Sequence, residues 1–225
     1  MSALFETMLV SGGRVIQRDE HFRRMRASCV ALGYPVVDTE TFANAVAAVP
    51  DGAVRCTWHP DDGRLEVVSF PIPRTTLLRR ERGRAVTLDR TFMRSLPQHK
   101  LAPYDVSVAG LRHAVSMDAD EGLFTDHEGN VLEGTATNVF AVSGKTLITA
   151  PAGILPGVVR EWVFAQPDFT IAERPPTPAE LRRGGFMTSS LTLIAPLRML
   201  DGAPCATSEA VVELAGRYER VVGIE

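Results

Sequence analysis

Val131-Leu132-Glu133-Gly134-Thr135-Ala136-Thr137-Asn138-Val139-Phe140 sets a glutamate into a run whose neighbours read as a buried strand. An ionised carboxylate taken out of water is costly unless a cation or hydrogen-bond donors meet it. Glu133 therefore either faces solvent or meets something positive. The strand itself reads as Val131–Val142 and lies in a meander. Glu128-Gly129-Asn130 and Ser143-Gly144 are turns that join it to Gly122–Thr125 and Thr146–Thr149. Strands adjacent in sequence and joined by tight turns predict mixed, largely antiparallel sheets, hence an α+β fold.

Working towards the N-terminus, Leu4–Val10 reads as a strand and Ser11-Gly12-Gly13 as a tight turn into Arg14–Ile16. Asp19 is a cap for a helix to Leu32, with Phe22, Met25, Cys29 and Leu32 on one face. Thr39 caps a second helix to Val49. Val54–Trp58 and Leu65–Ile72 flank a Pro60-Asp61-Asp62-Gly63 hairpin turn. Ala85–Leu88 adds a strand. Residues 1–95 thus read as a small N-terminal α+β domain, and 96–225 as a larger mixed-sheet domain beginning after Leu96-Pro97. The second part continues with a helix from Asp105 to Met117, the meander, and a loop Ala152–Gly157 opening a helix to Ala165. Strand Thr170–Glu173, a short helix from Thr177, strand Gly185–Ser189 and a closing helix from Ser208 complete it.

Composition excludes several classes of function. With 225 residues and a net charge of −3, neither nucleic acid nor an acidic membrane is an expected partner. The apolar runs are broken well short of a spanning helix, and Met1–Glu6 has no signal-peptide pattern. Cys29, Cys56 and Cys205 are scattered, which fits a reducing cytoplasm. The five histidines fall at no ligand spacing, so no metal is expected. The run Arg79-Arg80-Glu81-Arg82-Gly83-Arg84 lacks interleaved aromatics and reads as a solvated connector.

Of the 24 Lys plus Arg only Lys100 and Lys145 are lysines, which leaves few candidates for lysine chemistry. Gly144-Lys145-Thr146 superficially suggests a phosphate-binding loop. That motif needs glycine at 139, where valine stands, and a strand–loop–helix setting that is absent. Lys100, in Gln98-His99-Lys100-Leu101-Ala102-Pro103-Tyr104, stands just before a helix, at the start of the second half.

The order of motifs resembles the class IV aminotransferases, fold-type IV enzymes that use pyridoxal 5′-phosphate (PLP). The resemblance rests on Lys100 and Tyr104, then Glu133-Gly134-Thr135-Ala136-Thr137-Asn138, then Gly153-Ile154-Leu155-Pro156-Gly157-Val158-Val159-Arg160, then Thr188-Ser189-Ser190. In the first half it rests on Leu4-Phe5-Glu6-Thr7 and Glu20-His21-Phe22-Arg23-Arg24-Met25. It covers nearly the whole chain and implies a two-domain fold with the cofactor between the domains.

By this resemblance Lys100 would hold PLP as a Schiff base and move the proton at the substrate carbon. Glu133 would meet the pyridine nitrogen, so that the positive partner is a pyridinium, and Tyr104 would meet the ring's phenolic oxygen. The phosphate would take the N–H groups of Val158 and Val159, the Ser190 hydroxyl and Arg24. Periodicity alone gives Arg24 no privilege over Arg23 and Arg26. The family often has threonine where Val159 stands, and many lyase-like members have asparagine at the place of Pro103. Members usually begin with a further strand before the Phe-Glu-Thr segment, so an open sheet edge here is expected to need cover. The implied function is an aminotransferase of a small amino acid or amine, working as a homodimer. The alternatives are a 4-amino-4-deoxychorismate lyase and a PLP-binding protein without turnover.

Overall fold

The computed structural model describes residues 1–223, arranged as two sheets with helices packed on them. The first part contains β1 (Ala3–Ser11), β2 (Arg14–Val15), α1 (Arg18–Leu32), α2 (Thr39–Ala45), β3 (Gly52–His59) and β4 (Arg64–Phe70). There follow α3 (Arg74–Arg82), β5 (Arg84–Thr87), β6 (Leu101–Ala102), α4 (Asp105–Ser116), β7 (Glu121–Thr125), β8 (Val131–Gly134), β9 (Asn138–Ser143) and β10 (Thr146–Thr149). The chain closes with α5 (Val158–Phe164), β11 (Thr170–Glu173), α6 (Pro178–Arg183), β12 (Gly185–Ser189), β13 (Leu193–Pro196), β14 (Met199–Leu200), β15 (Ala203–Pro204) and α7 (Glu209–Val222).

The first sheet runs β2-β1-β3-β4, all antiparallel, with β6 added beside β1. The edge of β1 opposite β3 is thus covered at one end by β2 and at the other by β6. Its inner face, with Leu4, Met8, Val54 and Cys56, packs on Met25 and Cys29 of α1 and Phe42 of α2. The second sheet runs β11-β10-β9-β8-β7-β5-β14-β15, and β12 pairs with both β9 and β13. Along β9 and β12 the side chains alternate between two cores. Phe140 and Phe186 enter the core under α5 and α7, while Val139, Ala141 and Met187 enter the core that holds Leu181 of α6. Both faces are covered, so these strands are apolar throughout rather than alternating.

Several sequence expectations are corrected. The strand read as Ala85–Leu88 with the first half is β5, Arg84–Thr87, and pairs in parallel with β7 in the second sheet, while Leu101–Ala102, not foreseen as a strand, joins the first. The predicted strand Val131–Val142 is two strands. The break at Thr135–Thr137 exists because the buried Glu121 carboxylate accepts from the N–H groups of Thr135 and Ala136 at 3.0 and 3.3 Å and from the Thr137 hydroxyl at 3.0 Å. The Thr135 N–H is shared with the Gly122 carbonyl of β7 at 2.9 Å, whereas the Ala136 N–H is spent on the carboxylate instead of on a neighbouring strand. The arginine run is not merely a solvated connector. It lies mostly in α3, where Arg79 is buried and ion-paired to Glu121 at 3.2 Å, and Arg80 donates to the Leu191 carbonyl at 2.9 Å. Asp38, not Thr39, caps α2 by accepting from the Thr41 N–H at 2.8 Å, and that helix ends at Ala45. α1 starts after Gln17, whose φ is 52°, so Asp19 sits in the first turn, favourable to the helix dipole, rather than capping it. Other boundaries agree: Thr177 forms a capping box with Glu180 at α6, and Ser208 caps α7.

Candidate active site

A cavity of about 490 Å³ is lined by strand residues of both sheets, such as Phe5 and Arg55 of the first and Glu133 of the second, together with Lys100, Tyr104, Arg24, Val158, Val159 and Ser190. All the residues singled out in the sequence therefore reach one space.

Lys100 directly precedes β6, and its carbonyl accepts the Phe5 N–H at 3.0 Å. Its Nζ lies 4.7 Å from the centroid of Phe5 and 5.0 Å from that of Tyr104, two rings packed edge to face. Among the described residues no carboxylate forms an ion pair with it. Burial, reinforced by the nearby Arg24 charge, lowers its pKa to about 7 despite the opposing pull of Glu6. A lysine amine in this state is a nucleophile near neutral pH.

Glu133 is buried on β8, and the positive group waiting for it in this structure is Arg94. Arg94 Nη1 donates to Glu133 Oε1 at 2.5 Å, and the Leu155 N–H donates to Oε2 at 3.0 Å. The guanidinium also stacks on Tyr104, 4.8 Å from its centroid, and donates to the Pro97 carbonyl at 3.2 Å. Burial pushes Glu133 up to about 7 although Arg94, the Leu155 N–H and Lys100 oppose it. Sequence reasoning assigned the partner's role to a pyridinium alone and missed Arg94. The signal was present: a buried glutamate needing a cation, and an arginine in the irregular stretch just ahead of Lys100.

At the other end of the cavity Arg24 is held by Glu6, with Nε to Oε1 at 2.8 Å and Nη2 to Oε2 at 2.5 Å, while Nη1 donates to the Pro156 carbonyl at 3.0 Å. With 11 % of its side chain exposed it is not a solvated helix flank. Burial alone would raise the Glu6 pKa, but Arg24 and His21 outweigh it and bring it to about 2. His21 joins Glu6 through Nδ1 at 2.7 Å and Ser190 Oγ through Nε2 at 2.8 Å. Val158 and Val159 open α5, whose first turn no side chain caps, and the Val159 side chain packs into the core. Gly157 ahead of them must be glycine, since a Cβ there would lie 1.8 Å from Asn138 Oδ1.

Arg55, on β3, was not singled out in the sequence. It lines the cavity with its guanidinium 4.8 Å from the Phe5 centroid and 5.9 Å from that of Phe70, and among the described residues no carboxylate pairs with it. Thr188 also lines the cavity, and its buried Oγ1 has no hydrogen-bond partner among the described residues. An amine, a buried carboxylate, cations at two ends and an orphaned hydroxyl suit a flat heterocycle bearing an anionic tail. Among the described residues no group of His, Cys, Asp and Glu could hold a metal ion, and no helix is long and apolar enough to cross a membrane.

Comparison with known proteins agrees with this geometry. The family model described as amino-transferase class IV matches residues 3–200. A "bifunctional aminodeoxychorismate lyase / D-amino acid transaminase" of Mycobacterium tuberculosis is 28% identical over 238 residues, covering 88% of this chain and 82% of that protein. Among solved structures, "a hypothetical aminotransferase from Mycobacterium tuberculosis, PLP-bound form" superposes with a TM-score of 0.85 at 25% identity, covering 98% of this chain and 88% of the other. A branched-chain aminotransferase from Thermoproteus uzoniensis with norvaline shares the fold with a TM-score of 0.85 at 22% identity, over 100% of this chain and 86% of the other.

Proposed function

The chain belongs to the class IV aminotransferase family, and from that premise we propose that it is a PLP-dependent aminotransferase of a small amino acid or amine, with Lys100 carrying the cofactor. The observation behind this reading is that Lys100, next to β6 of the first sheet and, among the described residues, without a carboxylate partner, lines one cavity with the buried Glu133 of the second sheet. PLP supplies an electron sink for negative charge developing at a substrate carbon.

The protein's own groups then divide the work. Lys100 would hold the cofactor through its amine, and the same Nζ would serve as the base that moves the proton at the substrate carbon. Glu133 would meet the ring nitrogen and hold a proton there, and Arg94, paired to the same carboxylate, favours its ionised form against the effect of burial. Tyr104, fixed between Phe5 and Arg94, offers its hydroxyl to the ring's phenolic oxygen. Arg24, Ser190 and the N–H groups of Val158 and Val159 hold the phosphate. Among the described residues Arg55 is the cavity arginine with neither a carboxylate partner nor a phosphate role, and it takes the substrate carboxylate.

Borohydride reduction of the PLP-loaded protein, followed by peptide mapping, is expected to find the label on Lys100; a label elsewhere, or no uptake of PLP, would defeat the reading. A screen of amino donors read by absorbance then identifies the substrate by loss of the bound cofactor's long-wavelength band. The name of the M. tuberculosis relative supports a second reading, aminodeoxychorismate lyase. Pyruvate released from aminodeoxychorismate without a keto-acid acceptor would favour it.

A homodimer in the cytoplasm belongs to the same proposal. Val108, Val115 and Met117, exposed along and just beyond α4, and Met93 at 75% exposure form apolar surface that a second copy covers. Sedimentation at micromolar concentration checks this; a monomer would contradict it.

A further inference from the structure

Glu6 and His21 are both buried, and neither is among the residues that line the cavity. They join two groups given to the phosphate, Arg24 and Ser190, in one chain of hydrogen bonds. The direction of those bonds matters. Glu6 is ionised and can only accept, which it does from Arg24 and from the Nδ1–H of His21. A neutral His21 then has its lone pair on Nε2, at 2.8 Å from Ser190 Oγ. Ser190 must donate to it, and the hydroxyl turns only lone pairs towards the cavity. A phosphate dianion placed there would face acceptor against acceptor. A proton on His21 reverses the bond: Nε2–H donates to Ser190, and the hydroxyl hydrogen is free to point at the anion.

On the phosphate assignment made above, we infer that binding a phosphomonoester between Arg24 and Ser190 draws one solvent proton onto His21. The groups facing His21 decide when this happens. Glu6 from β1 favours the imidazolium, Arg24 from the same helix and Lys100 ahead of β6 oppose it, and Ser190 beyond β12 is neutral. Burial is the largest influence and holds the His21 pKa below its ordinary value, which favours the neutral imidazole in the free protein. The anion supplies the missing negative charge. The sign follows from linkage. Between the low pKa of the free protein and the higher pKa of the complex, affinity weakens as pH rises, by about tenfold per pH unit.

The probe is pyridoxamine 5′-phosphate, which has no aldehyde to condense with Lys100. Titration calorimetry near about pH 7.5, in buffers of different ionisation enthalpy, counts the protons taken up by wild type, His21→Gln and Ser190→Ala. Wild type is expected to take up about one proton more than His21→Gln, and its affinity to depend more steeply on pH. Ser190→Ala keeps the imidazole but loses the link and is expected to take up fewer protons than wild type; it decides the matter if His21→Gln does not fold. With pyridoxamine, which lacks the phosphate, the variants and wild type are expected to match. Binding with equal proton counts in all three proteins would overturn the inference and leave the phosphate assignment standing. No binding to wild type would overturn both.

Discussion

Arg94 and Glu133 form a buried ion pair at 2.5 Å that ties the irregular stretch ahead of Lys100 to the strand carrying the proposed cofactor carboxylate. Removing one partner of such a pair strands the other charge, whereas removing both does not. Arg94→Met is expected to lower unfolding stability by about 3–5 kcal/mol, and the double variant with Glu133→Gln to regain much of that loss in denaturant melts. Turnover stays low in both, because neither can hold a proton on the ring nitrogen. Near-normal activity in Arg94→Met would remove this arginine from the mechanism.

The cofactor-free protein should be least stable near neutral pH as far as Lys100 and Glu133 are concerned. The folded pKa of Glu133 is raised to about 7, so its contribution is full below the unfolded carboxylate pKa of 4.5 and is lost as pH climbs through 7. The folded pKa of Lys100 is lowered to about 7 from 10.5, so its penalty is full below 7 and is relieved as pH rises towards 10.5. Melting temperatures of wild type and Lys100→Met across this range check both signs. Lys100→Met is expected to be the more stable protein at and below neutral pH.

The rate at which PLP attaches is expected to rise with pH through about 7 and then level off, as the Lys100 amine loses its proton. Stopped-flow absorbance reads it directly. A rate that climbs instead along the ordinary lysine range would show that the amine is not desolvated.

Arg55→Met should raise KM for the amino substrate by about tenfold or more, the scale on which losing a charged hydrogen bond acts, while leaving PLP affinity unchanged. Equal loss of both would make Arg55 a structural support for Phe5.

Arg79, itself part of the cavity wall, is paired with Glu121, which holds the Thr135–Thr137 turn. Arg79→Met is expected to destabilise the fold by about 3–5 kcal/mol, measured in denaturant, since it leaves the fully buried Glu121 without its cation.

What the sequence discloses here is what local rules govern. The Thr177–Glu180 capping box, the Pro60–Gly63 hairpin and the Ser208 cap are written in neighbouring residues and can be read there. The ordered motifs from Lys100 to Ser190 predict side chains that do line one cavity, because each motif carries its own strand or helix start. Arg94, Arg55 and Arg79 cannot be picked out of 22 arginines by spacing, since their partners lie at a distance along the chain. The break in Val131–Val142 is hidden for the same reason: Glu121, ten residues before Val131, gathers the Thr135 and Ala136 N–H groups and the Thr137 hydroxyl. Glu6 and His21 are visible as motif letters, but only their burial together shows that they form a relay.

The Phe5 N–H holds the Lys100 carbonyl at 3.0 Å, so the amine rides on one sheet while Glu133 rides on the other. The gap between nucleophile and counter-charge is therefore a property of how the halves are seated, not of either alone. Leu9 and Ile16 reach from the first half into the core beneath α5 and α7, where they act as shims. Trimming either would reset that gap from afar, and would alter catalysis without touching a single residue of the cavity wall.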